Sequence, residues 1–234
     1  MKTAGIIGGL GPESTIEYYR SIIASYRERM PDGSYPSFII NSVNLTKALD
    51  LVTAGELAAL TDYLTGEIEK LARAGADFAA LSANTPHIVF EDLRRRSPVP
   101  LLSIVEATRD AAQESGLDRL ALFGTRFTMR AGFYQQAFSR ARMTLVLPDE
   151  AEQEYIHGKY MNEFVKGIFL PETRGRLLAI AGRLKEQENA QGLILGGTEL
   201  PLILREPDAK EVGLPFFDTT QIHVKAIVTQ MLSS

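Results

Sequence analysis

Short apolar runs alternate with longer amphipathic stretches along the chain, and most of the runs end in a loop of small or polar residues. Runs of three or four apolar residues suit buried strands, whereas the longer stretches carry apolar residues at helical spacing. Strands that alternate with helices are typical of a parallel sheet, so the pattern predicts an α/β fold. The predicted strands of the first half are residues 4–7, 38–40, 78–81 and 101–104, with a long helix at about 54–74.

The second half of the chain repeats this order of elements. Its predicted strands are residues 120–123, 145–147, 192–195 and 215–218, with a helix at about 171–188 and a closing helix from Thr220. The repetition predicts two pseudo-symmetric lobes, each a parallel sheet flanked by helices, with an active-site cleft between them at the carboxyl ends of the strands. We assign residues 1–102 and 208–234 to the N-terminal lobe and residues 103–207 to the C-terminal lobe.

Composition and charge exclude several classes of function. The 234 residues carry 25 basic and 29 acidic side chains without a long run of like charge, which predicts no nucleic-acid partner and no membrane partner. No window approaches the roughly 18 apolar residues of a membrane span, and no signal-like segment opens the chain, so we expect a cytoplasmic location. The chain contains no cysteine, which excludes disulfides, thiolate metal sites and cysteine-based catalysis.

The glycine loop after the first strand suggests an anion site rather than a dinucleotide site. Gly9 and Gly11 are followed by Ser14 where a dinucleotide fingerprint has its third glycine, and Asn41 ends the second predicted strand where that fingerprint needs an acidic residue. Backbone N–H groups at the start of a helix can bind a small anion. Capping of that helix by Ser14 or Thr15 is compatible with such a site.

Polar side chains cluster in the loops that follow the other buried strands. Hydroxyl, amide and guanidinium donors that converge on a cleft would recognise a small carboxylate, although each threonine alone is more often a helix cap. The three histidines lack metal-ligand spacing, so no metal site is expected. The candidate donors are Asn84, Thr85, Thr125, Arg126, Thr128 and Thr198.

Four motifs in this order across the chain resemble the aspartate/glutamate racemase family: residues 8–15, 84–87, 124–129 and 196–201. The resemblance implies a two-lobed α/β fold, usually a homodimer, that needs neither pyridoxal phosphate nor a metal cofactor. It also implies two cysteines that face each other across the substrate α-carbon. One thiolate removes the weakly acidic α-proton while the other thiol returns a proton from the opposite side.

The resemblance places those two cysteines at Ala83 and Gly197, which cannot exchange a proton at any pH. Loss of paired catalytic groups costs many orders of magnitude in rate but leaves binding groups in place. We therefore predict a protein that binds a small amino or dicarboxylic acid, with isomerisation absent or strongly reduced. The predicted binding residues are Gly9, Asn84, Thr85, Thr125, Arg126, Thr128, Thr198 and Glu199.

Several alternatives remain open from the sequence. The chain is an isomerase with unusual or reduced activity, a non-catalytic homologue that binds a small acid, or a racemase inactivated by experiment. A pocket that uses Glu199 or His87 as its base is a further alternative. Ser82 is a poor substitute for a thiol at residue 83, because neighbouring side chains on an extended segment point in opposite directions.

Overall fold

The computed structural model describes residues 1–233. The described residues form two compact units, one built from Met1–Ala107 with residues 220–233, the other from Thr108–Thr219. Among the described residues, no helix combines the length and the apolar character that crossing a bilayer requires.

Strands and helices alternate through both units. The elements from the N-terminus to the unit boundary are β1 (Ala4–Gly8), α1 (Pro12–Arg29), β2 (Phe38–Ser42), α2 (Leu45–Thr53), α3 (Leu57–Arg73), β3 (Phe78–Leu81), a 3-10 helix (Thr85–Val89), α4 (Phe90–Arg96), β4 (Leu101–Leu102) and α5 (Ile104–Glu114). The remaining elements are β5 (Arg119–Gly124), α6 (Arg126–Arg130), α7 (Phe133–Arg140), β6 (Thr144–Val146), α8 (Glu150–Asn162), a 3-10 helix (Phe164–Lys166), α9 (Pro171–Glu188), β7 (Gly192–Gly196), α10 (Leu200–Ile203), α11 (Glu206–Val212), β8 (Phe216–Asp218) and α12 (Thr219–Leu232).

Each unit contains a four-stranded parallel sheet, in the order β2-β1-β3-β4 in the first and β6-β5-β7-β8 in the second. The two orders are equivalent when the strands are renumbered within each half. This equivalence confirms the predicted α/β fold with two parallel sheets flanked by helices. The central strands β1, β3 and β7 are buried along their whole length, as expected for strands with helices on both faces.

The core of the first unit is formed by α1 and α12 together with β1 and β3. Helix α1 begins with Pro12 in its first turn, where a missing N–H costs nothing, and ends with basic residues that suit the helix dipole. Burial of large apolar side chains contributes about 1.5–3 kcal/mol each. The cluster contains Ala4, Ile6, Tyr18, Ile22, Tyr26, Phe78, Ala80, Val224, Ile227, Val228 and Met231.

Two predicted elements have different bounds in the structure. The helix predicted from residue 54 begins at Leu57, because Gly55 adopts a left-handed conformation with φ of 72° and closes α2. The strand predicted over residues 101–104 ends at Leu102, and Ile104 begins α5, whose Glu106 N–H donates to Ser103 Oγ at 3.3 Å.

The unit boundaries also differ from the predicted lobes. Residues 103–107 belong to the first unit, and residues 208–219 belong to the second rather than to the N-terminal lobe. The reason lies in β8, which pairs with β7 through Leu193 and Phe216, Ile194 and Phe217, and Leu195 and Asp218. The chain therefore returns to the first unit only at Thr220, in α12.

Candidate functional site

The predicted site residues lie in loops at the carboxyl ends of neighbouring strands, in two sets, one in each unit. In the first unit, Ile7 of β1 is paired with Leu81 of β3, so the glycine loop and the loop after β3 leave the same edge of the sheet. In the second unit, Gly124 of β5 is paired with Gly196 of β7, which brings the next loops together in the same way. Ligands of open parallel sheets bind at this edge.

The glycine loop of the first unit is held by Thr15. The Gly9 N–H donates to Thr15 Oγ1 at 2.8 Å, and that hydroxyl donates to the Gly11 carbonyl at 3.0 Å. Thr15 therefore closes the turn from inside, and Gly11 occupies the N-cap position of α1 without a side-chain cap. The sequence predicted a small-anion site at the backbone N–H groups of this loop. The Gly9 N–H instead donates its hydrogen bond to the Thr15 hydroxyl.

The loop after β3 contains the first of the two positions that lack a cysteine. Ala83 is 7% exposed and Asn84 is 4% exposed, at the start of the 3-10 helix that Thr85 begins. Ser82 is fully buried, and its hydroxyl donates to the Ile7 carbonyl at 3.0 Å. The structure thus assigns Ser82 to the sheet and gives it no role as a base beside Ala83.

His87 is a structural residue of the same loop. The Nδ1 atom of its ring lies 3.0 Å from the Ala83 carbonyl oxygen. The Nε2 atom accepts a hydrogen bond from the Ile104 N–H at 3.3 Å. These partners fix the tautomer with the proton on Nδ1. Burial, with a smaller effect from His223, lowers the pKa of His87 to about 3. His87 is therefore neutral, has both nitrogens engaged and does not fit the alternative in which it serves as the base.

A second buried histidine in the first unit has the same character. His223 is fully buried, its Nδ1 lies 2.8 Å from the Tyr18 hydroxyl, and its Nε2 lies 3.2 Å from the Leu102 carbonyl oxygen. Burial lowers the pKa of His223 to about 4. Both histidines stay neutral in the folded protein while the unfolded chain takes up protons near pH 6.5.

We expect the free energy of unfolding to fall as the pH is lowered from about 6.5 towards 4. In this window the unfolded state binds more protons than the folded state, and each histidine adds a slope of up to about 1.4 kcal/mol per pH unit. Urea unfolding at pH 7, 6 and 5 measures the slope. The H223Q variant should show a shallower slope, whereas H157Q should change it less, because His157 is only partly buried. An unchanged slope in H223Q would contradict this account.

Thr125 and Thr128 form the cap of α6 in the second unit. Thr125 Oγ1 accepts the Thr128 N–H at 3.2 Å and lies 3.2 Å from the Thr128 hydroxyl oxygen. Thr128 is fully buried, whereas Thr125 is only partly buried. The structural role that the sequence allowed for a threonine at this position is confirmed for Thr125, and binding of a ligand by this pair stays a prediction.

Arg126 belongs to a network with α8. Its guanidinium lies 3.3 Å from His157 Nε2 and 3.5 Å from a carboxylate oxygen of Glu154, and its side chain is 44% exposed. Partial burial, together with the charge of Arg126, lowers the pKa of His157. A neutral His157 can accept a hydrogen bond from Arg126, so the guanidinium is held beside the Thr125 cap.

Gly197, the second position that lacks a cysteine, lies against the ring of Tyr160. A Cβ atom at residue 197 would lie 2.5 Å from Tyr160 Cε2 and 2.8 Å from the Tyr160 hydroxyl oxygen. These distances are shorter than any real contact of a Cβ atom. The tyrosine therefore takes the space that a side chain at residue 197 would need.

Helix α8 fixes the position of this tyrosine. The helix begins with a capping box between Asp149 and Glu152, and the Tyr160 ring packs edge-on against Phe164 with centroids 5.8 Å apart. The Tyr160 hydroxyl donates to Glu199 Oε2, and Thr198 Oγ1 donates to the same oxygen at 2.9 Å. Tyr160 and Glu199 are 6% and 7% exposed.

The electrostatics of this pair keep Tyr160 protonated. Burial is the first cause and the neighbouring Glu199 carboxylate is the second, and together they raise the pKa of the Tyr160 phenol well above its usual range. A tyrosinate beside a carboxylate would place two negative charges in a buried site. The pair is thus a neutral phenol bound to a carboxylate oxygen.

The structure adds two residues that the sequence analysis did not select for this site, His157 and Tyr160. They lie three residues apart on α8 and therefore on one face of the helix. The sequence signal that could have found Tyr160 is the glycine pair at 196–197, because a glycine in a buried loop often admits a large neighbour. The residues that the structure describes hold no group of three or more histidine, aspartate or glutamate side chains arranged for a metal ion.

Known proteins share the fold of this chain. The family model described as Asp/Glu/Hydantoin racemase matches residues 7–227. The solved structure of a candidate Asp/Glu racemase from Yersinia pestis superimposes with a TM-score of 0.92 at 31% identity, covering 100% of both chains. An aspartate racemase homologue from Pyrococcus horikoshii superimposes with a TM-score of 0.86 at 33% identity, again over 100% of both chains.

A relative with a described activity is similar over nearly its whole length. The broad specificity amino-acid racemase RacX of Bacillus subtilis is 26% identical over 236 residues, which cover 98% of each chain. The two parallel four-stranded sheets and the family model place the chain in one class of α/β proteins. The chain belongs to the Asp/Glu/Hydantoin racemase family.

Proposed function

We propose that this protein binds a small amino or dicarboxylic acid and does not interconvert its enantiomers through two opposed thiols. One observation carries the second half of the proposal: the phenol ring of Tyr160 fills the space beside Gly197. No side chain at residue 197 can stand there with Tyr160 in place. At the other position, the methyl group of Ala83 has no exchangeable proton.

The proposed binding groups are the donors that remain in the loops. Asn84 and Thr85 are proposed to hold a carboxylate at the loop edge of the first unit. Thr125 and Thr128 are proposed to hold a carboxylate at the loop edge of the second unit. Arg126 adds positive charge that favours an anionic ligand, since its guanidinium is held in place and 44% exposed. The side chains of Thr198 and Glu199, which are hydrogen-bonded to each other, would contact the amino or carboxyl group of the ligand.

The packing at Gly197 supports a site without a thiol at this position. The space beside Gly197 holds a tyrosine that is hydrogen-bonded to Glu199 and packed on Phe164. This packing supports a site that works without a thiol at residue 197, and it is compatible with both a natural and an experimental loss of the cysteine. A homodimer and a cytoplasmic location belong to the same proposal, and light scattering in solution tests the first.

Titration calorimetry with both enantiomers of aspartate and glutamate tests the proposal. We expect binding that weakens about 5- to 160-fold in the double variant N84A/T128A, because two hydrogen bonds of about 0.5–1.5 kcal/mol each are lost. Chiral chromatography after long incubation should recover each enantiomer unchanged.

Thr61 provides the matched control. Its buried hydroxyl donates to the Leu57 carbonyl within α3, so its removal takes away no proposed ligand contact. The T61A variant should therefore bind like the unchanged protein. Equal affinity in N84A/T128A would refute the assigned carboxylate contacts, and conversion of one enantiomer into the other would refute the claim that racemisation is lost.

A further inference from the structure

The buried hydroxyl of Tyr160 donates a hydrogen bond to the buried carboxylate of Glu199, just after the carboxyl end of β7. We propose that Tyr160 and Glu199 form a proton relay that exchanges the α-hydrogen of a bound amino acid with solvent, from one face and without inverting the α-carbon. The inference rests on the proposed binding function and goes beyond it by naming a reaction.

The location of the pair supports a role towards a ligand. Glu199 follows β7 by three residues, and β7 is paired with β5 up to Gly124 and Gly196, so the pair lies beside the Thr125 loop. The Tyr160 hydroxyl oxygen lies 2.8 Å from where a Cβ at residue 197 would stand, so it occupies the place of a side chain on the loop itself. Buried ionisable pairs at such an edge are candidates for function.

The chemistry follows from the hydrogen bond and from the neutral state of the phenol. The α C–H bond of the ligand breaks, its electron pair stays on the α-carbon and delocalises into the ligand carboxylate, and its proton moves to the Tyr160 oxygen. In the same step the phenolic proton moves to Glu199 Oε2. The phenol is neutral before and after, so no tyrosinate forms, and Glu199 is the base.

Reversal of the relay returns a hydrogen to the same face. Glu199 exchanges its acquired proton for a deuteron of D2O, and the deuteron then passes through Tyr160 to the α-carbon. The electron pair re-forms the bond at the face from which the proton left. The product is therefore the α-deuterated amino acid with unchanged configuration.

The relay acts on one face of the α-carbon, because the Tyr160 oxygen is the one atom of the relay that receives the leaving hydrogen. Inversion requires an acid on the opposite face. The Tyr160 hydroxyl is hydrogen-bonded to Glu199, so the pair supplies no second acid, which gives a physical reason to expect exchange without racemisation.

Proton NMR in D2O tests the relay on the full chain. Each enantiomer of aspartate and glutamate is incubated with the protein, and loss of the α-proton signal is followed beside chiral chromatography. We expect signal loss for one enantiomer of at least one amino acid, with its configuration retained. The rate should fall at least about 100-fold in Y160F and in E199Q, which is the contribution typical of a general acid or base.

Tyr134 supplies the control for loss of a buried tyrosine hydroxyl. It is fully buried in α7 of the same unit, and its hydroxyl is bonded to Thr108. The Y134F variant should exchange at the unchanged rate, and circular dichroism should show all three variants folded.

Affinity measured in parallel separates the two proposals. Binding without exchange in the unchanged protein overturns the relay alone, as does exchange in Y160F or E199Q at the unchanged rate. Exchange accompanied by racemisation overturns the claim of a single face. Absence of binding for both enantiomers of aspartate and of glutamate overturns the proposed function and the relay with it.

Discussion

Replacement of Gly197 by cysteine is expected to lower the free energy of unfolding by about 1–3 kcal/mol, the range for side chains forced into a filled core. The new Cβ would lie 2.5 Å from the Tyr160 ring. A shift of the ring away from residue 197 disturbs its contact with Phe164 and its hydrogen bond to Glu199. Urea denaturation at pH 7 measures the loss.

If Tyr160 excludes a side chain at residue 197, the stability effects of substitutions at these two residues should depend on each other. Leucine lacks the ring atoms that approach residue 197, so Y160L should make room for the cysteine. The double variant G197C/Y160L should be more stable than the sum of the two single effects predicts, as residues in direct contact usually show. A double-mutant cycle measures this difference directly.

Gly182 provides a matched control within the same unit. It lies in α9, and a Cβ at this position would have no heavy atom outside its own helix backbone within 4 Å. The G182C variant introduces the same thiol and should lose much less stability than G197C. Equal losses in the two variants, or strictly additive effects of G197C and Y160L, would show that Tyr160 does not exclude a side chain at residue 197.

The parts of the fold that follow from local pattern could be predicted from the sequence. The buried strands carry their apolar runs unbroken, and the small polar loops after them mark the carboxyl edge of each sheet. The helix predicted at about 171–188 is α9 to the residue, because Pro171 begins it and Asn189 ends it in a left-handed conformation. Thr125 likewise occupies the capping position that its sequence context suggested.

The parts that depend on distant contacts could not be predicted. Tyr160 and Gly197 are far apart in sequence, and nothing local to either residue indicates that they touch. The position of β8 in the second sheet, followed by the return of α12 to the first unit, is also decided by pairing and packing between distant segments. Such choices are invisible to periodicity, which is why the predicted lobe boundaries differ from the observed ones.

Hydrogen bonds within the protein explain why several residues with suitable chemistry do not serve the site. His87, Ser82 and the Gly9 N–H were all candidates for chemistry by residue type. In the fold their polar atoms bond to Ala83, Ile7 and Thr15. Buried polar groups are nearly always satisfied in this way, so residue type alone overestimates the number of groups available to a ligand.

The G9A variant is expected to lose about 2–5 kcal/mol of the free energy of unfolding, from two independent causes. Gly9 has φ of 77°, a conformation that costs an alanine about 1–2 kcal/mol. In addition, an alanine Cβ would lie 2.7 Å from the Val43 nitrogen and 2.8 Å from the Ser42 hydroxyl oxygen. The backbone of Val43 is itself fixed, because its N–H donates to the Gly8 carbonyl at 3.0 Å. Urea denaturation measures the loss.

Gly33 separates the two causes. It has the same φ of 77°, but a Cβ at residue 33 would have no neighbour within 4 Å. G33A should therefore show the conformational cost alone, and the excess loss in G9A should measure the overlap with the segment after β2. If the two variants lost equal stability, the close approach of that segment would cost nothing. A larger loss in G9A would mean that the first glycine loop keeps its form because β2 ends directly against it, which ties the geometry of this edge to the sheet rather than to a ligand.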